Sequence, residues 1–215
     1  MIPAGFLPFT IGITAVSVPL YLIIEHRGWL SGRIILKSLA SLGFVGTALA
    51  SGATGSPYGL LILAGLFLSL TGDLFLISRA RPLFMAGLVS FLLGHVSYSA
   101  AFIVRGQALM PVLEGLALLI PIGIKVFYWL RSRAPEEMIN PILAYIVVIT
   151  SMVALAIGAV VAGAPWLLIP GAAAFYCSDL AVARDRFVSA GFINRAWGLP
   201  LYYLGQTLIA LSAGG

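Results

Sequence analysis

Residues Gly65–Ile77 read GLFLSLTGDLFLI, an apolar run with one carboxylate, Asp73, set inside it. An ionised acid in hydrocarbon is costly unless it is paired, protonated or facing water, so an intramembrane acid marks a candidate functional site. A second run, Ala172–Ala183 (AAAFYCSDLAVA), repeats the device, with Ser178-Asp179-Leu180 matching Gly72-Asp73-Leu74. Together the two runs point to a helical bundle in a membrane, with two acids facing each other inside it.

The rest of the chain agrees. Of its 215 residues 61% are hydrophobic and 9% charged, against about 25% charged in ordinary soluble domains. That much apolar surface cannot be hidden in a soluble fold of this size, so the solvent is lipid. The first apolar stretch, Phe6 to Ile24, has no basic leader and no small-residue cleavage site, and reads as a retained span. The net charge of +5 would suggest a nucleic-acid partner in a soluble protein. Here the arginines gather in loops, where they set membrane orientation, and no nucleic-acid partner is expected. The single cysteine, Cys177, lies in an apolar run and excludes an intramolecular disulfide.

A span needs about 20 mainly apolar residues, and eight segments meet that measure. They run approximately Phe6–Ile24, Ile34–Ser51, Tyr58–Ile77, Leu83–Val104, Met110–Leu130, Ile139–Val161, Pro165–Ala183 and Ala196–Ser212. Short connections between them suit one all-α transmembrane domain over residues 1–215. The odd-numbered connections carry the basic residues, among them Arg27, Arg79, Arg131 and Arg184, while the other side offers little beyond Arg105. The positive-inside rule therefore places the odd loops in the cytoplasm and both termini on the opposite face. An offset of 106 residues between Asp73 and Asp179, which also sets Arg27 against Arg133, hints at a four-plus-four repeat of parallel type.

Orientation converts sequence position into depth. At 1.5 Å per residue, Asp73 and Asp179 lie roughly 8–9 Å inside the boundary marked by Arg79 and Arg184. Lys37 falls at a similar depth, and Tyr202 and Tyr203 lie slightly deeper. His95 comes out roughly 20 Å deep and needs tilt or a broad cavity to join them. Two acids in a low-dielectric site cannot both ionise cheaply, so one is expected to keep its proton while the other stays charged beside Lys37. That combination supplies a general acid and a general base in one pocket.

Other readings of these residues stay open. Each Asp could instead accept hydrogen bonds from helix ends or pair with loop arginines. Lys37 could snorkel to the headgroups. His95 and Tyr98, three apart, share a helical face, as do Tyr203 and Gln206. A glutamine in mid-span requires an internal partner. No metal is expected, because His95 is the only imidazole inside a span and a zinc site takes three or four ligands. Nucleotide-binding glycine motifs are absent, and the many glycines fit close helix packing in lipid.

These blocks, in this order, resemble the lysoplasmalogenase family, the YhhN-type multi-pass membrane proteins. The resemblance runs through Lys37, GLFLSLTGDLFL with Asp73, FLLGHVSYSAAF with His95 and Tyr98, FYCSDLAVARDRF with Asp179, and YYLGQTLIALS with Gln206. Lys37-Ser38 departs from the Lys-Pro common in the family. The resemblance implies hydrolysis of the vinyl ether bond of lysoplasmalogens to a fatty aldehyde and a glycerophospho-alcohol, with a lysophospholipid substrate and no cofactor. Asp73 and Asp179 would then be catalytic. Lys37, His95, Tyr98, Tyr202, Tyr203 and Gln206 would position the substrate and tune the acids. A rival reading of the same buried acids is a proton-coupled transporter or lipid-handling protein. No motif speaks to oligomeric state.

Overall fold

The computed structural model describes residues 6–78 and 80–214, and these are helical almost throughout, with no strands among them. The eight helices are α1 (Phe6–Arg27), α2 (Leu30–Ala50), α3 (Pro57–Phe75), α4 (Arg81–Arg105), α5 (Leu109–Arg131), α6 (Glu136–Val161), α7 (Leu168–Phe187) and α8 (Phe192–Leu211). Arg79, one of the orienting arginines, lies outside the described residues.

Local chemistry sets the helix limits. Ser56 caps α3, its hydroxyl accepting from Gly59 N at 3.0 Å, and Pro57 follows at the first helical position, where a missing N–H costs nothing. Glu136 and Glu137 sit in the first turn of α6, and Arg184 and Arg186 in the last turn of α7, each complementing the helix dipole. Gly106 and Gly163 close α4 and α6 at φ 115° and 104°, values that side-chain-bearing residues seldom adopt.

Sequential helices pair as four antiparallel hairpins, α1–α2, α3–α4, α5–α6 and α7–α8, which hold the most extensive contacts. Six helices close into a ring in the order α2, α3, α4, α6, α7, α8 and back to α2. Helix α1 packs outside α2 and α8, and α5 packs outside α6. Small residues permit the closest approaches. A Cβ at Gly72 would stand 2.6 Å from the Phe91 ring, so α3 and α4 meet where a glycine faces an aromatic face. Outward surfaces carry large apolar side chains, for example Leu109, Met110, Leu118 and Tyr128 on α5, as a lipid-facing wall requires.

Six helices, α1 to α6, are long and apolar enough to cross a membrane by length and composition, making this a multi-pass membrane protein. The expected count was eight. Helices α7 and α8 are present but fall short of that measure, because α7 carries Asp179, Arg184, Asp185 and Arg186 while α8 carries Asn194, Arg195 and Gln206. Two boundaries also differ from those read in the sequence. Helix α3 ends at Phe75, which leaves Asp73 in its final turn, and α7 runs on through its arginines to Phe187.

Candidate functional site

The ring of helices encloses a cavity of about 330 Å³. Asp73 and Asp179 both line it, and so do Lys37 and Tyr202. Each acid is held by a set of partners from different helices.

Asp73 reaches inward from the end of α3 and is 2% exposed. Its Oδ1 lies 3.2 Å from Lys37 Nζ. Its Oδ2 accepts from Ser41 Oγ at 2.7 Å and from Tyr202 OH at 2.7 Å. Lys37 and Ser41 are four apart on α2 and so present the same face. Lys37 is 5% exposed. Its ammonium therefore faces the interior and does not snorkel to the surface, since Asp73 offers a partner that compensates for burial.

Asp179 is served more sparsely. Its Oδ2 accepts from Tyr145 OH at 2.9 Å, and His95 Nε2 stands 3.5 Å away. That second contact is an approach and not a formed hydrogen bond, because neither ring nitrogen of His95 has a hydrogen-bond partner. His95 is completely buried, tilted on Phe175 at 4.4 Å between ring centroids and edge-on to Tyr145 at 5.2 Å. His95, expected to need tilt or a broad cavity to join the acids, thus meets Asp179, which lies in mid-helix with α7 running eight residues past it to Phe187.

A chain of aromatic contacts links the two sites. Tyr202, bonded to Asp73, packs edge-on against Phe175 at 5.4 Å and Phe91 at 5.7 Å, and Phe175 in turn carries His95. No hydrogen bond joins the two carboxylates. They share a chamber and keep separate partners.

The other expected site residues lie behind these. Tyr203 OH is 3.4 Å from both Ser41 Oγ and the Lys37 carbonyl, so it backs the α2 face that holds Asp73. Tyr98 OH donates to Gln206 Oε1 at 2.6 Å, with both side chains fully buried between α4 and α8 and outside the cavity lining. Among the described residues no three His, Cys, Asp or Glu side chains gather as metal ligands would. Two partners were not singled out from the sequence, Ser41 and Tyr145. Ser41 carried a signal, its spacing of four from Lys37. Tyr145 carried only its position as a lone hydroxyl in the apolar run Ile142–Ile149.

The cavity has two unlike sides. Toward the α1–α2 and α7–α8 connections it is bounded by Tyr21, Arg33, Asp185, Asn194 and Arg195. Toward α4, α5 and α6 it is mostly apolar, with Phe84, Leu88, Leu130, Ile142 and Ile146, though Arg186 stacks over the Phe84 ring at 4.2 Å and Tyr145 faces in from α6. The chamber thus combines a polar and a mostly apolar lining with two carboxyl groups.

The sequence pattern of the YhhN family matches residues 32–213. Two proteins named lysoplasmalogenase TMEM86A are similar to the chain. The one from Homo sapiens is 34% identical over 170 residues and the one from Bos taurus 32% over 163, each match covering 73% of this chain and 66% of that protein. A protein named lysoplasmalogenase TMEM86B, from Mus musculus, is 28% identical over 197 residues, covering 90% of this chain and 80% of that protein. No solved structure matches. The chain belongs to the YhhN family, and it spans about two thirds of the length of its TMEM86A relatives.

Proposed function

We propose that this YhhN-family chain is a membrane hydrolase that cleaves the vinyl ether bond of lysoplasmalogen-type lipids, using Asp73 and Asp179. The observation that carries this reading is the shared cavity, in which two carboxyl groups from different helices lie between a polar and an apolar side. The names of the relatives supply the substrate class.

The two carboxyl groups take different parts. Asp73 is the ionised member of a pair with Lys37 and stabilises positive charge developing in the chamber. Among the described residues Asp179 has no lysine or arginine partner, and it is the proton donor. It protonates the β-carbon of the enol ether, giving an oxocarbenium ion and leaving the Asp179 carboxylate. Water adds to the cationic carbon and loses a proton to that carboxylate, forming a hemiacetal. Collapse of the hemiacetal breaks the bond to the glycerol oxygen, which takes a proton from the reprotonated Asp179 while the hemiacetal hydroxyl returns its own to that carboxylate, and yields aldehyde and glycerophospho-alcohol. Each proton transfer of this kind contributes roughly 10²–10⁴-fold. Tyr145 and His95 orient Asp179, and Lys37, Ser41 and Tyr202 orient Asp73. Tyr203, Tyr98 and Gln206 brace the helices that carry them.

In this reading residues 1–215 form one domain of eight spans, α7 and α8 included, with the arginine-bearing connections in the cytoplasm and both termini outside. A parallel four-plus-four repeat accompanies it. Supporting that repeat, Asp73 on α3 receives partners from α2 and α8, while Asp179 on α7 receives them from α6 and α4, the same positions four helices on.

The duplicated device also favours a second reading, a proton-coupled carrier whose acids load and unload protons. Incubating the purified protein with a lyso vinyl ether lipid separates the two. A hydrolase releases aldehyde and loses that activity on Asp73→Asn or Asp179→Asn, whereas a carrier leaves the lipid intact.

A further inference from the structure

The polar side of the cavity ends on an ion network that the proton transfers do not use. Glu25, in the last turns of α1, has a side chain only 4% exposed and lies outside the cavity lining. Its Oε2 pairs with Arg33 Nε at 2.6 Å, and its Oε1 accepts from Arg195 Nη1. Arg33 and Arg195 both line the cavity, with side chains 21% and 24% exposed. Arg195 Nη2 also lies 3.2 Å from Asp185 Oδ2, and Arg33 Nη2 donates to the Ile77 carbonyl at 3.3 Å. One buried carboxylate thus ties together two guanidinium groups that begin α2 and α8, both on residues that line the chamber.

A guanidinium carries five N–H donors in one rigid plane, and the contacts above occupy only part of each plane. Holding two such groups by a buried glutamate costs desolvation of all three charges, which a simple helix tie built from apolar side chains would avoid. The arrangement makes sense where two fixed forks must meet a tetrahedral anion, for which arginine is suited. Position fits as well. Arg33 stands one helical turn from Lys37 on α2, about 6 Å along the axis, and Arg195 stands seven residues before Tyr202 on α8, about 10 Å. The glycerol unit that separates an sn-1 ether oxygen from the phosphorus spans roughly the pitch of one helical turn.

We propose that Arg33 and Arg195, aimed by Glu25, form a subsite for the phosphodiester of a lysophospholipid headgroup. With phosphorus there, the sn-1 linkage reaches the layer of Lys37, Asp73 and Tyr202, and the tail turns toward Phe84, Leu88 and Ile146. This rests on a single-chain lipid as the occupant of the cavity, which the hydrolase reading supplies. It does not depend on turnover.

The test is a binding comparison on the purified full chain, using a saturated acyl lysophosphatidylethanolamine, which has no vinyl ether, and the monoacylglycerol of the same chain length. Wild type is expected to bind the phospholipid at least about tenfold more tightly, and Arg33→Gln and Arg195→Gln to bring that ratio to within about twofold while the monoacylglycerol still binds. Arg33→Lys and Arg195→Lys should keep part of the preference, because charge remains and the fork is lost. Retained monoacylglycerol binding certifies the fold of each variant. Should a glutamine variant lose both ligands, the lysine variants decide. An unchanged ratio in every folded variant, or a wild type that does not distinguish the two lipids, overturns the subsite. Displacement of the lysophospholipid by inorganic phosphate at equal concentration also overturns it, by marking a site for free phosphate. Aldehyde release is scored separately, so an inactive protein that keeps the tenfold preference refutes the hydrolase and leaves the subsite standing.

Discussion

Asp73 and Asp179 sit in matching stretches of sequence and face one chamber, yet they are cared for differently. Asp73 ends a helix, is 2% exposed and meets an ammonium and two hydroxyl donors. Asp179 sits in mid-helix, its side chain is 18% exposed, and it meets one tyrosine hydroxyl and an imidazole at a distance too long to bond. A fully partnered carboxylate is fixed in place, which suits it to shape a field. A sparsely partnered one retains room to bind and release a proton. In the proposed hydrolase, two similar motifs therefore supply one acid for electrostatics and one for proton transfer.

The sharpest way to break this contrast is to neutralise each acid in turn. Asp73→Asn and Asp179→Asn are each expected to cut aldehyde release by about 10²-fold or more. Their stabilities should diverge. Asp73→Asn strands Lys37 in the interior and is expected to cost about 3–5 kcal/mol, whereas Asp179→Asn should cost about 1 kcal/mol. Thermal unfolding in detergent reads the difference, and a larger loss for Asp179→Asn would reverse the assignment. Adding Lys37→Met to Asp73→Asn removes the stranded charge. Most of the lost stability should then return while activity does not.

The tyrosines sharpen the comparison further. Tyr145→Phe removes the one hydrogen bond to Asp179, and a fall in kcat of about tenfold is expected, in line with a bond to a charged or ionising group of about 1.5–3 kcal/mol. Tyr202→Phe leaves Asp73 with Lys37 and Ser41, so a smaller fall of about threefold is expected. Equal effects would mean that the two acids are equally supported. The smallest change belongs to Tyr98→Phe, which breaks a bond outside the cavity. A stability loss of about 1 kcal/mol with kcat little changed is expected, measured by thermal unfolding alongside aldehyde release.

Much of this was legible before any coordinates. Apolar runs of span length located the helices, and an acid inside such a run was conspicuous because nothing else in the run was charged. Lys37 and Tyr202 followed from depth along their helices, measured from arginines near their starts. The same measurement left His95 to be joined by tilt or a broad cavity, and counting residues along separate helices could not say which acid it meets; the packing of α4, α6 and α7 brings it to Asp179. Tyr145 was illegible for a different reason. A hydroxyl on an apolar span has no periodic signature, and only the packing of α6 against α7 gives it a carboxylate to meet. Ser41 was readable in principle from its spacing with Lys37, though serines four residues from a polar neighbour are common on any helix.

The pairing of consecutive helices into hairpins bears on how the chain matures. Asp73 is contributed by the second hairpin, Lys37 and Ser41 by the first, and Tyr202 by the fourth; Asp179 belongs to the fourth, Tyr145 to the third and His95 to the second. No single hairpin carries either constellation, so both are complete only once the last pair has docked. On the hydrolase reading turnover reports completed assembly, and a defect in the second or fourth hairpin disturbs both acids, one in the first only the Asp73 set and one in the third only the Asp179 set.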